Sequence, residues 1–349
     1  MIEYNQATIE SMVVHHIGTR AEAEPNKFSK SVLSFNDDQL VEEILKPFFF
    51  RSFKADLYYN FDHEVDIEQN YIFSIAREIF KDYSSFYNNS IQIADFLYEN
   101  SNHPKIRGGE FYMALFDNVV VDGELVSALG IFKSENKETF LKVVLNNQSF
   151  ELGTQEGINI KRIDKGCLIF NTEEDLGYKV CSIDNVNKGN EANFWMKDFL
   201  NVKPREDNFY FTQNYLKLCK GFVADVYNNQ NEVPRPDQID LLNRSINFFD
   251  DKIKFSEQEF EREIFRRPEE QEAFREYKES FQEAHEMPLA SNFDISHNAV
   301  KGEKKHFKSI LKLDKNFHVY IHGKRDYLEQ GFDERRGMNY YKLYYQLEL

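Results

Sequence analysis

The spacing of apolar positions changes twice along the chain, and each change marks a different kind of element. "ATIESMVVHHIG" alternates and is stopped by Gly18, which predicts a first strand. "NDDQLVEEILKPFFFRSF" then sets Leu40, Ile44 and Leu45 at helical spacing behind Asn36 or Asp37 as the cap, with Pro47 expected to end or kink the helix. "ADLYYNFD" is a short strand candidate. "QNYIFSIAREIFKDY" puts Ile72, Ile75, Ile79 and Phe80 on one helical stripe. "SSFYNNSIQIADFLYENS" does the same with Ile91, Ala94, Leu97 and Tyr98, and His103-Pro104 closes it.

From Gly109 to about Asp184 the rhythm is that of strands. "EFYMALF", "VSALGIFKS", "TFLKVVLN", "GINIKRID", "GCLIFNT" and "DLGYKVCSID" are short, rich in β-branched and aromatic residues, and separated by Gly, Asn or Asp. The spacing predicts an antiparallel meander. The first two runs are joined at Asp117-Asn118 or at Asp122-Gly123. Helical spacing then returns in "NEANFWMKDFLN", "TQNYLKLCKGFVADVYNNQ" and "RPDQIDLLNRSINFFDDKI". It continues through "SEQEFEREIFRRPEEQEAFREYKESFQEAH", where Ser256 to Glu259 reads as a capping box and Pro268 as a break. After "ISHNAVKGEKKHFKS" the period falls back to two in "SILKLD", "FHVYIHG" and "YYKLYYQLEL". The expected fold is α+β: a mixed domain with an antiparallel sheet over residues 1–188, a helical region over 189–290, and a basic, β-rich segment over 291–349.

Composition narrows the class. With 33 Phe and 19 Tyr against one Trp, the cores are expected to be built from phenyl rings. No apolar run approaches the roughly 20 residues of a membrane span. The first residues have neither a basic n-region nor a small-residue cleavage site, so no secretory leader is expected. Cys167, Cys181 and Cys219 are odd in number and widely spaced, which fits buried, reduced thiols rather than disulfides or a zinc site.

Charge is distributed unevenly. Of the 43 Lys and Arg, 11 follow residue 300, against seven of the 59 Asp and Glu, so that stretch is +4 and the preceding 300 residues are −20. A surface for nucleic acid is therefore sought in the carboxyl-terminal segment. Its basic residues are Lys301, Lys304, Lys305 and Lys308, then Lys324 and Arg325, then Arg335 and Arg336. Phe307, Tyr320, Tyr327, Phe332, Tyr340 and Tyr341 are interleaved with them and could stack on bases. The alternative is a solvated charged face over a β core. Arg266-Arg267 is expected to pair with Glu neighbours.

Other chemistry is weaker. His318 and His322 have metal-ligand spacing on a helix, but Val319, Tyr320 and Ile321 favour a strand, where the two rings would be about 13 Å apart. His15-His16 on the first strand should face opposite sides, one buried and one near the surface. No phosphate-binding glycine loop and no nucleophile elbow is present. Asp117 or Asp122, followed by Glu135 and Lys137, has the order of a metal-dependent nuclease signature. Glu135, however, falls in the polar "KSENKET" and Asp122 beside Gly123, where turn and solvent roles account for both. No catalytic residue, metal or cofactor is assigned.

"HHI", "IADFLYENSNHPKIRGGEFYMALFD", "ALGIFKSENKETFL", "LGYKVCSID", "FWMKDFLN" and "ILKLDKNFHVYIHGKRDYLEQG" occur in an order that resembles the bacterial nucleoid-associated proteins of NdpA/YejK type. The match in order covers nearly the whole chain. The resemblance implies a cytoplasmic, nucleoid-associated protein that binds DNA or DNA-handling proteins, and it implies no catalytic residues. The expected function is non-enzymatic DNA binding through phosphate contacts. An acidic adaptor for DNA-processing enzymes is the alternative, and a nuclease the second. No membrane partner is expected, and self-association is left open.

Overall fold

The computed structural model describes residues 2–34, 39–53, 57–146, 149–187, 194–307, 310–321 and 325–347. The fold is α+β, in two compact units, residues 1–205 and 206–349. The proposed cap at Asn36 or Asp37 lies outside the described residues.

The first unit is built on an eight-stranded antiparallel sheet. Its strands are β1 (Ile2–Glu3), β2 (Thr8–Ile17), β3 (Tyr59–Phe61), β4 (Gly109–Val121), β5 (Glu124–Ser134), β8 (Lys165–Phe170), β9 (Lys179–Asp184) and β10 (Val202–Pro204). Their order is β1-β4-β5-β8-β9-β3-β10, with β2 also paired to β4. Three helices belong to this unit: α1 (Gln39–Phe50), α2 (Tyr71–Lys81) and α3 (Phe86–Asn100). Phe111, Met113 and Leu115 join the cluster formed with α2 and α3, while Tyr112, Ala114 and Phe116 join the one formed with α1. Burial on both faces is why β4, β5 and β8 read as nearly continuous apolar runs rather than strict alternations.

Pro47 does not end α1, which runs on to Phe50. Phe48, Phe49 and Phe50 are all buried against the sheet, and the Phe49 ring stacks on Phe132 at 4.3 Å. Burying each of those rings is worth about 1.5–3 kcal/mol, enough to hold the last turn in place behind a proline. On α2 the Asn70 side chain caps the helix by accepting from the Phe73 amide at 3.0 Å, and Ile72, Ile75 and Ile79 are buried as their spacing predicts. On α3 the buried stripe is Ile93, Ala94 and Leu97, and Ile91 is only half-buried.

The link between β4 and β5 is Asp122-Gly123, with φ of 50° and 89°, the conformation of a type I′ hairpin. Asp117-Asn118 instead forms an irregularity within β4, where Asn118 has φ of 57° and the register slips between Phe116 and Val119. The meander is interrupted as well. β6 (Glu138–Asn146) and β7 (Ser149–Gly157) pair only with each other, and β5 pairs directly with β8. "GINIKRID" contributes only Gly157 to a strand. The second strand of the ribbon is "SFELGTQEG", whose polar residues hide its period.

Helices α4 (Asn208–Asp225), α5 (Arg235–Asp251), α6 (Glu257–Ile264), α7 (Pro268–His285) and α8 (His297–Lys304) form the body of the second unit. Its core is aromatic: Tyr215, Phe222, Phe249, Phe255, Phe260, Phe265 and Phe274 pack together. A short ribbon of β11 (Lys254–Ser256) and β12 (Asn292–Asp294) stacks Phe255 on Phe293 at 4.6 Å. Ser256 sits at the N-cap of α6 but its side chain makes no capping bond. The carboxylate that turns back is Glu270 on α7, which accepts from the Arg266 amide at 3.0 Å and the Arg267 amide at 3.3 Å. Two further ribbons complete the unit, β13 (Ile310–Leu313) with β14 (Phe317–Tyr320) and β15 (Leu328–Asp333) with β16 (Met338–Leu343).

Candidate nucleic-acid interface

The basic residues of the carboxyl-terminal segment sit on three short elements. Helix α8 buries Ala299, Val300 and Glu303, which turns Lys301 and Lys304 outward at its basic end, with Lys305 just beyond. Cations there also complement the partial negative charge of the last carbonyls. The turn from β15 to β16 is tied by Asp333, whose Oδ1 accepts from the Arg335 and Arg336 amides at 3.0 and 3.1 Å. Gly337, with φ of 65°, completes it, so both guanidinium groups project from the tip. Arg325 precedes β15. Lys308 and Lys324 lie outside the described residues.

These cations are not equally available. Lys304 Nζ pairs with Asp250 Oδ2 at 2.7 Å, and Arg325 Nε donates to Asp237 Oδ1 at 2.6 Å. Arg336 makes a longer contact, 3.8 Å, with Asp333. Lys301, Lys305 and Arg335 are exposed, with no carboxylate partner among the described residues. Asp237 and Asp250 are 13 residues apart on α5. That separation is about 20 Å along the axis and about 140° around it. The Lys304 and Arg325 groups are therefore held at opposite ends and on different sides of one helix. The aromatics also divide. Phe307 is buried beneath Lys220 and is core, whereas Tyr320 and Phe332 are exposed. His318 lies on β14, a strand as expected, and His322 is outside the described residues.

The four residues of the nuclease-like order do not meet. Asp122 pairs with Lys179 at 3.1 Å, and Asp117 accepts from the Tyr83 hydroxyl at 3.1 Å. Lys137 pairs with Glu110 at 2.7 Å. Glu135 follows the other end of β5, so that 11-residue strand puts it about 35 Å from the Asp122 turn. Among the described residues no group of three or more His, Cys, Asp or Glu side chains is placed to hold a metal ion.

Glu135 is nonetheless not the solvated turn residue its polar neighbours suggest. Lys133 on β5, Lys165 on β8 and Asp184 on β9 form one rung across three strands. Both lysine side chains are fully buried, and the side chain of Glu135 is 1% exposed. The Glu135 carboxylate bridges the two ammonium groups, at 3.1 Å from Lys133 and 3.2 Å from Lys165, while Lys165 also reaches Asp184 at 3.4 Å. Lys133 donates to the Arg107 carbonyl at 2.6 Å as well. Burial lowers the Lys133 pKa, against the pull of Glu135. Unbridged, two lysines facing each other on one sheet would repel. The sequence signal was the lysine that ends "ALGIFK", a charge inside an otherwise apolar run.

The histidine pair separates as the strand period requires. His15 is buried, its Nδ1 accepting from the Ser29 amide at 3.1 Å and its Nε2 lying 3.0 Å from Ser90 Oγ. His16 is half-exposed, with Glu24 at 3.3 Å. Arg266 and Arg267 pair with acidic side chains, Asp240 and Glu270. All three cysteines are buried and none is in a disulfide.

The model of the nucleoid-associated protein YejK family matches residues 13–335. The chain belongs to this family. No curated protein matches it. In this member of the YejK family, the stretches of the first unit that carried the resemblance fold chiefly into β2, α3, β4, β5, β9 and the π-helical turn Phe194–Phe199, with the start of β6, and the carboxyl-terminal stretch folds into β13, β14 and the start of β15. The first-unit elements supply much of the larger core of that unit. The family pattern is thus largely a packing pattern. It names nucleoid association as the general kind of function, and it covers part of the basic segment without singling out its cations. No helix of the described residues is long and apolar enough to cross a membrane.

Proposed function

We propose that this nucleoid-associated protein is a non-enzymatic DNA-binding protein of the bacterial cytoplasm, contacting phosphates through Lys301, Lys305, Arg335 and Arg336. The observation that carries the reading is the set of exposed cations in the segment where the net charge turns positive. Lys304 and Arg325 are engaged by Asp250 and Asp237 and contribute less. Lys308 and Lys324, beside them in sequence, add to the same segment. Contacts of this kind are largely independent of base sequence. Exposed Tyr320 and Phe332 add ring faces within the same unit. The test is a mobility-shift titration of a duplex of mixed sequence. Lys301→Glu, Lys305→Glu and Arg335→Glu combined should weaken binding at least tenfold, and unchanged affinity would sink the assignment.

The acidity of the first 300 residues, net −20, supports a second reading. Such a surface can imitate a phosphate backbone to a basic, DNA-processing partner. Pull-down from lysate with and without nuclease treatment separates the two. Partners that survive digestion favour the adaptor, and partners lost with the DNA favour direct binding.

A further inference from the structure

The ribbon of β6 and β7 leaves the sheet and exposes apolar side chains, five on one face and Phe140 and Val144 on the other. The register pairs Leu141 with Thr154, Val143 with Leu152, and Leu145 with Phe150. Strand alternation puts these six on one side, and puts Lys142 and Glu151 on the other. Leu141, Val143, Leu145, Phe150 and Leu152 are 58–76% exposed. A two-stranded ribbon alone in water is marginally stable, and an exposed patch of this kind marks a contact surface.

We propose that this face packs against the same face of a second copy, forming a two-fold dimer. Three observations select a second copy. The six positions carry no charge, so two identical faces meet without burying one, although the chain as a whole carries −16. The sizes are self-complementary. A two-fold axis at the Val143–Leu152 rung lays the bulky Leu145–Phe150 tip of one ribbon over the smaller Leu141–Thr154 base of the other. The area suffices. Five such side chains expose on the order of 500 Å² per copy. The pair would bury about 1,000 Å², near the lower limit for a specific interface.

Sedimentation equilibrium and cross-linking test the proposal. The intact chain is expected to sediment at twice its 41.5 kDa. Val143→Lys with Leu152→Lys, on a face that is solvated in the single copy, should keep the near-UV circular dichroism and weaken association at least about 100-fold. Val143→Cys lies next to the axis and should form a disulfide-linked dimer under mild oxidation, while the three native cysteines are buried and give no background. A wild-type chain that sediments as a monomer at micromolar concentration overturns the proposal, whatever else the ribbon binds. So does a dimer whose dissociation constant the double lysine variant leaves unchanged.

Discussion

At the scale of single residues, Glu135 and His15 show how burial turns ordinary polar groups into stability determinants. Replacing Glu135 with Gln leaves Lys133 and Lys165 facing each other without a bridging charge. Breaking a buried pair in this way costs about 3–5 kcal/mol. The pair of Glu110 with Lys137, whose ammonium end is exposed, is a built-in comparison, since an ion pair open to water is worth about 0–1 kcal/mol. Glu135→Gln is therefore expected to lower the denaturation midpoint severely and Lys137→Gln hardly at all. Equal effects would remove the bridging role. His15 is held as a neutral tautomer. Its Nδ1 accepts from an amide, and Ser90 Oγ already donates to the Tyr87 carbonyl at 2.7 Å, so Nε2 carries the proton. Burial lowers its pKa below the ordinary 6.5. Below that pH the unfolded chain takes up a proton that the folded chain resists, so this stability is present above 6.5 and lost as pH falls. Thermal midpoints from pH 7 to 5 should fall more steeply for the wild type than for His15→Gln, and parallel curves would count against it.

At the scale of elements, two glycines near the ends of one hairpin separate conformational from steric demand. Gly123 has φ of 89° and open space where a Cβ would sit, so Gly123→Ala strains only the backbone, costing about 1 kcal/mol. Gly109 would place a Cβ 2.1 Å from the Ser134 carbonyl oxygen, and β4 would have to part from β5. Urea midpoints should show Gly109→Ala as much the more damaging, and the reverse order would refute this account. Element types were largely legible because apolar period reports the side that is buried. Where that reading failed, another force decided. Burial of Phe48–Phe50 carried α1 past Pro47, and a ribbon that buries neither face left β7 without a clear period.

At the scale of the whole molecule, charge placement governs how it meets a polyanion. Phosphate contacts release counterions, so the logarithm of affinity falls with the logarithm of salt concentration by about 0.9 per contact. If Lys301, Lys305 and Arg335 each meet a phosphate, their combined reversal should flatten that slope by roughly three. A slope that does not change would place the contacts elsewhere. The described candidates were named from sequence, but which were free was not legible. Lys304 and Arg325 are satisfied by Asp250 and Asp237, which lie more than 50 and nearly 90 residues earlier in the chain.

The sequence by itself determined the α+β class, the helical stretches, most of the longer first-unit strands, the family and the basic end, because local period, composition and motif order are properties of neighbouring residues. Only the tertiary structure decided that Glu135 bridges two buried lysines, that the nuclease-like residues stand apart, and that β6 and β7 form a ribbon outside the sheet. Each of these depends on which strands pair, and pairing joins residues that local spacing does not connect.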